Sequence, residues 1–310
     1  QRQMCIRDRL LLLSIVVLTM AGCIKEDLDG CPTGGSARLV FHYTVAGVDK
    51  LLDYVSRIDA IIFDEDGRFI MHERLEVQSQ ATRTELLLTL DPGTYYFVSW
   101  GNVEAHSVYS SFIPGVTALT DCSIEISPGI TAGDPIYYAP AKTAPHTSRT
   151  LAPQYDIHKI EIMSDEHMVK DVEFVKAHRS ITVYLKNAPG TPNAPKVRVN
   201  HLCKSYNFLF EPQAYIGDFT HITSSGQYAD ETYDVAVFYA GMGPITSDMD
   251  VNVLHGGDER ILHTENIEEF LTANPSHDPD DIHMVIEFSE LGVTVTVPSW
   301  NEKPVTPGTF

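Results

Sequence analysis

The stretch ARLVFHYTVA, Ala37–Ala46, sets Leu39, Phe41, Tyr43 and Val45 at every second position, with Arg38, Val40, His42 and Thr44 between them. Side chains of an extended chain alternate between two faces, so this spacing predicts a strand with one face on a core. The neighbouring segments carry the same signature. Arg57–Phe63 (RIDAIIF) is almost continuously apolar, Asp64-Glu65-Asp66-Gly67 supplies an acidic turn, and Arg68–His72 returns, which reads as a hairpin. Thr84–Leu90 alternates again, and Asp91-Pro92-Gly93 is a tight turn into Thr94–Trp100.

Further strands are predicted at Cys122–Ile126, Ile157–Met163 and Val169–Phe174. A second series follows at Ser180–Leu185, Lys196–Leu202, Asn207–Phe210, Tyr233–Tyr239, Asp250–Leu254, Arg260–Thr264, Ile282–Phe288 and Val293–Val297. Helix is sparse. Val48–Val55 reads as a short helical turn, and Asn266–Asn274 as a helix with Ile267, Phe270 and Leu271 on one face. Pro128–Pro153, rich in Pro, Ala and Thr, reads as a long loop. Many short strands with little helix predict an all-β chain of antiparallel sandwiches. Two series predict two domains in tandem, 37–168 and 169–301, joined around 164–178, with a tail at 302–310.

The first residues carry a different signal. Arg7 and Arg9 precede an apolar run from Leu10 to Val17 that continues through Leu18-Thr19-Met20. A basic flank, a short apolar stretch and small residues describe a secretory signal, and the run is too short to span a bilayer. It ends in Met20-Ala21-Gly22-Cys23, which resembles a bacterial lipobox with Met where Leu is usual. The reading is a signal peptide over 1–22, acylation of Cys23, and a lipidated linker over 23–36. Because the sequence opens on Gln1 rather than Met, nothing is rested on Cys5. Lys25-Glu26-Asp27, directly behind Cys23, has two readings. One is a solvated acidic linker; the other is a likeness to the signal that exports lipoproteins to the outer face of the outer membrane in Bacteroidota.

Composition narrows the function. The 310 residues carry a formal net charge of -20, which excludes the basic footprint that nucleic acid needs. With Cys5 and Cys23 set aside, Cys31, Cys122 and Cys203 remain, an odd number that allows one disulfide and leaves its pairing open. No Cys-x-x-Cys pair suggests zinc, and neither GxGxxG, GxxxxGK[ST], Gly-x-Ser-x-Gly nor His-Glu-x-x-His occurs. His201 and Cys203 would share a strand face, a seed for a metal site that more often is simple packing. Asp278, Asp280 and Asp281 lack the glycine and terminal Glu of a calcium loop and read as a solvated acidic loop. Asp64 and Asp66 read as turn chemistry, and Trp100 and Trp300 as packing. No enzyme, metal or cofactor is expected.

Taken together, Tyr54–Ile70 (YVSRIDAIIFDEDGRFI), Leu90–Asn102 (LDPGTYYFVSWGN), Val172–Asn187 (VEFVKAHRSITVYLKN) and Val293–Asn301 (VTVTVPSWN) resemble the fimbrial anchor lipoproteins of Bacteroidales, minor subunits at the base of type V pili. The lipobox, Lys25-Glu26-Asp27 and Cys31-Pro32 fit the same family. The resemblance implies two transthyretin-like β-sandwich domains and an acyl anchor in the outer membrane, facing the cell exterior. It also implies attachment of a fimbria at its base, limitation of fibre length, and a stalk subunit as partner through a strand-exchange type of contact.

Stalk subunits of that family lose a first strand to an arginine-directed protease, so arginine positions separate anchor from stalk. No Arg lies between Cys23 and Ala37, Arg38 is read at the start of the first strand, and Arg57 lies inside another. The first strand is therefore expected to stay, and with it the lipid. Pro304 and Pro307 make the tail a poor strand donor, so the joining surface is left open. Two other readings compete. A surface glycan-binding lipoprotein would need exposed aromatics, with Tyr137, Tyr138 and Trp100 the residues to inspect. A tip adhesin of the same pilus family would need an open acceptor groove.

Overall fold

The computed structural model describes residues 34–77, 84–127, 133–141, 157–189, 193–213, 216–228 and 231–298. The signal peptide, Cys23 and its lipobox, Lys25-Glu26-Asp27, Cys31, Trp300 and the tail lie outside the described residues. Pro128–Pro153 lies mostly outside them.

The first half contributes β1 (Gly35–His42), β2 (Thr44–Val45), β3 (Val48–Asp49), β4 (Arg57–Phe63), β5 (Phe69–Glu76), β6 (Glu85–Leu90), β7 (Gly93–Gly101), β8 (Ser107–Tyr109), β9 (Ser123–Ile126), β10 (Tyr137–Ala139), β11 (His158–Ile162), β12 (His167–Glu173) and β13 (Val175–Lys176). The second half contributes β14 (His178–Lys186), β15 (Lys196–Cys203), β16 (Ser205–Asn207), β17 (Ile216–Ile222), β18 (Ser224–Tyr228), β19 (Glu231–Gly241), β20 (Asp250–Leu254), β21 (Ile261–Asn266), β22 (Asp281–Ser289) and β23 (Gly292–Thr296). Among the described residues, two short helices, α1 (Leu51–Tyr54) and α2 (Ile267–Ala273), and one 3₁₀ turn at Leu119–Asp121 complete the secondary structure. The chain is all-β, as its alternation predicts.

In the first half, a sheet ordered β12-β1-β6 faces a six-stranded sheet built on β10-β7-β4-β5, with β11 also pairing β7. Ala37, Leu39 and Phe41 of β1 pack against Ile58, Ala60 and Ile62 of β4 and Phe97 of β7. The other face of β4 is buried too: Ile61 and Phe63 join Val98, Trp100 and Tyr138 in a separate cluster. This is why RIDAIIF reads as an unbroken apolar run, as strands covered on both faces do. The covering third layer is the sheet β16-β9-β8, and β16 comes from the second half of the chain.

The second half folds as one nine-stranded sheet. One limb is β21-β20-β15-β17, the other β18-β19-β14-β22-β23, and they join where Cys203 pairs with Gly241. Val197, Val199, Phe219, Val251 and Val253 of the first limb meet Ile181, Val183, Phe238, Ile282 and Met284 of the second in an apolar core that α2 closes with Ile267, Phe270 and Leu271. Asn266 caps α2 by accepting from the Glu269 backbone N–H at 3.0 Å. Sheet membership changes between β13 and β14, so β12, beginning at His167, lies with the first half.

Several expectations differ. Pairing is not wholly antiparallel: β1 runs parallel to β12, and β14 runs parallel to β22. Each half thus seats its opening strand between one parallel and one antiparallel neighbour. The predicted strand Ala37–Ala46 starts two residues earlier and stops at His42, because Ala46 (φ 51°) and Gly47 (φ 80°) turn back into the β2–β3 hairpin. The predicted helical turn over Val48–Val55 shrinks to α1 for the same reason. The predicted strand Asn207–Phe210 is replaced by β16, after which Phe208 and Phe210 leave the ladder for the cluster around Trp100. Short β8 and β10, and polar β17 and β18, were not expected from periodicity.

Candidate functional site

The first strand, β1, is seated between two neighbours. Its backbone is held on both edges: Arg38 stands opposite Val169 of β12 and Leu87 of β6. Ser36 N–H donates to the Glu166 carbonyl at 2.8 Å, and Phe41 N–H to that of Thr84 at 2.8 Å. At the entry, Gly35 passes so close that an added Cβ would lie 2.4 Å from the Met163 carbonyl oxygen and 2.5 Å from Ile162 Cγ2. Only glycine fits there. Ala37, Leu39 and Phe41 are fully buried, so removing β1 would uncover the core beneath.

Arg38 does not lie at the very start of the strand. It is the fourth residue of β1, so a cut behind it would remove Gly35–Arg38 and split the strand rather than spare it. Its guanidinium points outward, 3.8 Å from the Glu85 carboxylate, while its main chain stays in the ladder. Arg57 opens β4, with its Nε 3.5 Å from the Asp59 carboxylate.

With the first strand in place, comparison with known proteins becomes informative. The family model described as fimbrillin-A associated anchor proteins Mfa1 and Mfa2 matches residues 28–306. The chain belongs to this family. Among curated proteins, the major fimbrium anchoring subunit FimB of Porphyromonas gingivalis is 32% identical over 102 residues, 31% of this chain and 33% of FimB. The match thus spans about a third of that relative's length. Among solved structures, the fimbrial anchor protein Mfa2 from Porphyromonas gingivalis superposes with a TM-score of 0.58 at 16% identity, covering 86% of this chain and 98% of Mfa2. A candidate polysaccharide-binding protein from Bacteroides thetaiotaomicron gives a TM-score of 0.63 at 13% identity, covering 86% and 96%. At these identities the structures establish the fold alone.

For a member of the anchor family, the other residues singled out in the sequence fall into place as architecture. Trp100, Tyr137 and Tyr138 are buried and offer no face to a sugar. Cys122 and Cys203 are free thiols, both buried, each donating to a backbone carbonyl at 3.3 Å, of Ala118 and Ser205 respectively. Burial pushes the Cys122 thiol up to about 11 and also raises that of Cys203. His201 and Cys203 do not share a face. A bulge between Val199 and Leu202 turns His201 outward to the Asp248 carbonyl, 2.8 Å away, while Cys203 faces inward. Among the described residues no cluster of His, Cys, Asp and Glu is placed to hold a metal. Asp64 Oδ1 accepts from the backbone of Asp66 and Arg68 at 3.0 and 2.8 Å, the turn role expected of it.

The acidic loop at Asp278, Asp280 and Asp281 is not simply solvated. Asp281 accepts from Ser180 Oγ at 2.7 Å and lies 3.8 Å from Lys176 Nζ. Arg179, itself buried, donates through Nε to the Pro279 carbonyl, through Nη1 to that of Gly243, and through Nη2 to Asp280, at 2.8, 2.9 and 3.3 Å. Beside it His178 is buried between Tyr137 of the first half and Tyr239 of the second, its Nδ1 hydrogen-bonded to the Ile136 carbonyl at 2.9 Å. Burial, with the Lys176 charge nearby, pushes His178 down to about 3, so it is neutral. Of these contacts, Lys176 to Asp281, His178 to the Ile136 carbonyl and Tyr137 to His178 cross between the halves.

One polar group escaped sequence reasoning. Asp59 is fully buried in β4 and accepts from His72 Nε2 and Arg74 Nε at 2.8 Å each and from Tyr109 Oη at 3.1 Å. Burial alone would raise its carboxyl, but the His72 and Arg74 hydrogen bonds outweigh it and hold Asp59 below the usual carboxylate range. The one signal available was an acid inside an otherwise apolar strand.

Proposed function

We propose that this chain is an outer-membrane lipoprotein that anchors the base of a fimbria to the cell surface and limits fibre length by binding the first stalk subunit. Acylation at Cys23 supplies the membrane attachment, since several acyl chains on one residue make a stable anchor. The observation that carries the reading is β1 locked between β12 and β6, with Arg38 inside the ladder. A retained first strand keeps the chain continuous with its acylated end, as an anchor requires and a processed stalk subunit does not. Family membership over 28–306 supports the same role.

Strand direction supports an orientation. β1 enters at Gly35 beside the Met163–Glu166 turn and ends where the second half begins, beyond β12. The Gly35 end of the first half would then lie next to the membrane, and the second half would point away from it. The two-domain division belongs to this proposal.

The test is intact-mass and N-terminal analysis of the protein from the outer membrane of its native host. A mature chain that begins at acylated Cys23 and retains β1 is the expected result. A lipid-free chain beginning behind Arg38 or Arg57 would make it a processed fibre or tip subunit.

A further inference from the structure

Fourteen large apolar side chains are exposed among the described residues, and four of them fall within ten consecutive positions: Val45, Val48, Leu52 and Tyr54. Val45 and Val48 stand opposite one another in the β2–β3 hairpin, and Val48 is 55% exposed. Leu52 and Tyr54 follow in α1, both exposed, on either side of the helix turn whose Leu51 is buried. An exposed apolar cluster of this kind marks a contact surface more often than an accident.

The knob is held rigidly. Asp49 Oδ1 accepts from the backbone of Tyr43 and Leu51 at 3.2 and 3.0 Å, tying hairpin to helix. Tyr54 meets Tyr43 edge-on at 5.4 Å, Tyr43 meets Tyr137 at 4.9 Å, Tyr137 meets His178 at 5.5 Å, and His178 meets Tyr239 at 5.2 Å. This column of rings runs from the exposed tip into the junction of the two halves. A surface fixed in advance loses little freedom on binding.

Charge defines what fits it. Asp49, Asp53, Asp171, Glu173 and Glu104 surround the knob: Asp49 and Asp171 flank His42 at 2.9 and 3.6 Å, Glu173 accepts from Thr44 N–H, and Glu104 accepts from Ser56 Oγ. Lys50, paired with Asp53 at 2.7 Å, is the one Lys or Arg between Leu39 and Ser56. An acidic rim on an apolar centre is complementary to an apolar patch edged with lysine or arginine.

We propose that Val45, Val48, Leu52 and Tyr54 form the docking surface for the fimbrial subunit that meets this anchor, through an apolar patch on that subunit edged by basic side chains. This assignment of the occupant rests on the anchoring function proposed above. The knob lies at the end of β1 remote from Gly35, about 25 Å along the strand, and so on the side away from an acylated Cys23.

The experiment measures binding of the purified stalk subunit of the same host to the full-length lipoprotein in detergent. Variants are Val48→Glu with Leu52→Glu, Asp53→Lys, and Ile261→Glu as an exposed apolar control on β21. The double variant should lose about tenfold or more in affinity, as buried apolar anchors of an interface do, with its thermal unfolding unchanged. Asp53→Lys, an exposed change that leaves the fold intact, should weaken binding and flatten its dependence on salt. Ile261→Glu should bind like the parent. Wild type that binds, together with knob variants that bind equally well, would overturn the docking surface alone. Wild type that fails to bind the subunit would overturn the anchoring function, and the occupant with it.

Discussion

Tyr138 and Phe210 stack ring on ring across the two halves of the chain, with centroids 5.1 Å apart and planes 6° from parallel. Phe210 also touches Trp100 and Tyr206, and its neighbour Phe208 meets Phe63, Trp100, Tyr109 and Phe112. A segment of the second half is therefore core for the first. Phe208→Ala should cost about 3–5 kcal/mol, the usual range for emptying a fully buried aromatic site. Chemical denaturation followed by tryptophan fluorescence checks this, and a loss under about 1 kcal/mol would mean the site is not packed as described.

The same contact predicts that residues 34–177 do not make a stable unit alone. Without β16 and the two phenylalanines, Trp100, Tyr138 and Ile124 lose their cover. Expressed alone, that fragment should bind a hydrophobic dye and be cut readily by protease, whereas the whole chain should resist both. A protease-resistant fragment with a cooperative transition would refute the interdependence.

His178 and His158 predict acid sensitivity of defined sign. Burial depresses both, to about 3 and about 4 respectively, while the unfolded chain holds them at about 6.5. Their neutral-state stabilisation is complete above pH 6.5 and is lost as pH falls toward the folded values. Between about pH 6 and pH 4.5 each should contribute a slope of about 1.4 kcal/mol per pH unit. His178→Phe keeps a ring between Tyr137 and Tyr239 and should remove its share of that slope in urea titrations at several pH values. An unchanged slope would show that His178 charges freely in the folded state.

Gly35→Val should loosen β1, because its side chain would collide with the Met163 carbonyl and Ile162. Overpacking of this sort costs about 1–3 kcal/mol. Trypsin should then cut behind Arg38 in the variant under conditions where the parent is intact there, read by mass spectrometry. Equal protection in both would mean that the close approach does not hold the strand.

Asp59→Asn should destabilise by about 3 kcal/mol, since Arg74 and His72 would lose the carboxylate that compensates them. Stability from Asp59 is present above the ordinary carboxylate range and disappears as pH falls through its depressed folded value, so the variant and parent should converge in strong acid.

Much of this architecture was legible in the chain. Leu39 and Phe41, alternating with Arg38 and Val40, identified the first strand, and RIDAIIF identified the one buried on both faces. Ile267, Phe270 and Leu271 identified α2 by their helical spacing. Other features were out of reach because they depend on pairing between distant segments. The parallel neighbours of β1 and β14 leave no local trace, since periodicity reports a face and not a partner. Phe208 and Phe210 sit at alternate positions and read as a strand, yet their burial is decided by Trp100 and Tyr138 in the other half. β17 and β18 carry Gly217, Asp218, Ser224 and Gly226, which suit edges but give weak strand signals. Arg179 and Asp280 form a clamp only because the start of β14 lies beside the loop before β22.

The parallel alignment of β1 with β12 has a mechanical meaning. Load applied between the segment before Gly35 and the second half would enter β1 at the Gly35 end and β12 at its opposite end. Force then runs along the two strands, and their hydrogen bonds must slip together instead of parting one after another. β14 and β22 repeat that alignment in the second half. Resistance to pulling would be governed by the rate of that concerted rupture rather than by equilibrium stability. Two strands aligned in this way can withstand a pull along their length even where equilibrium stability is only moderate.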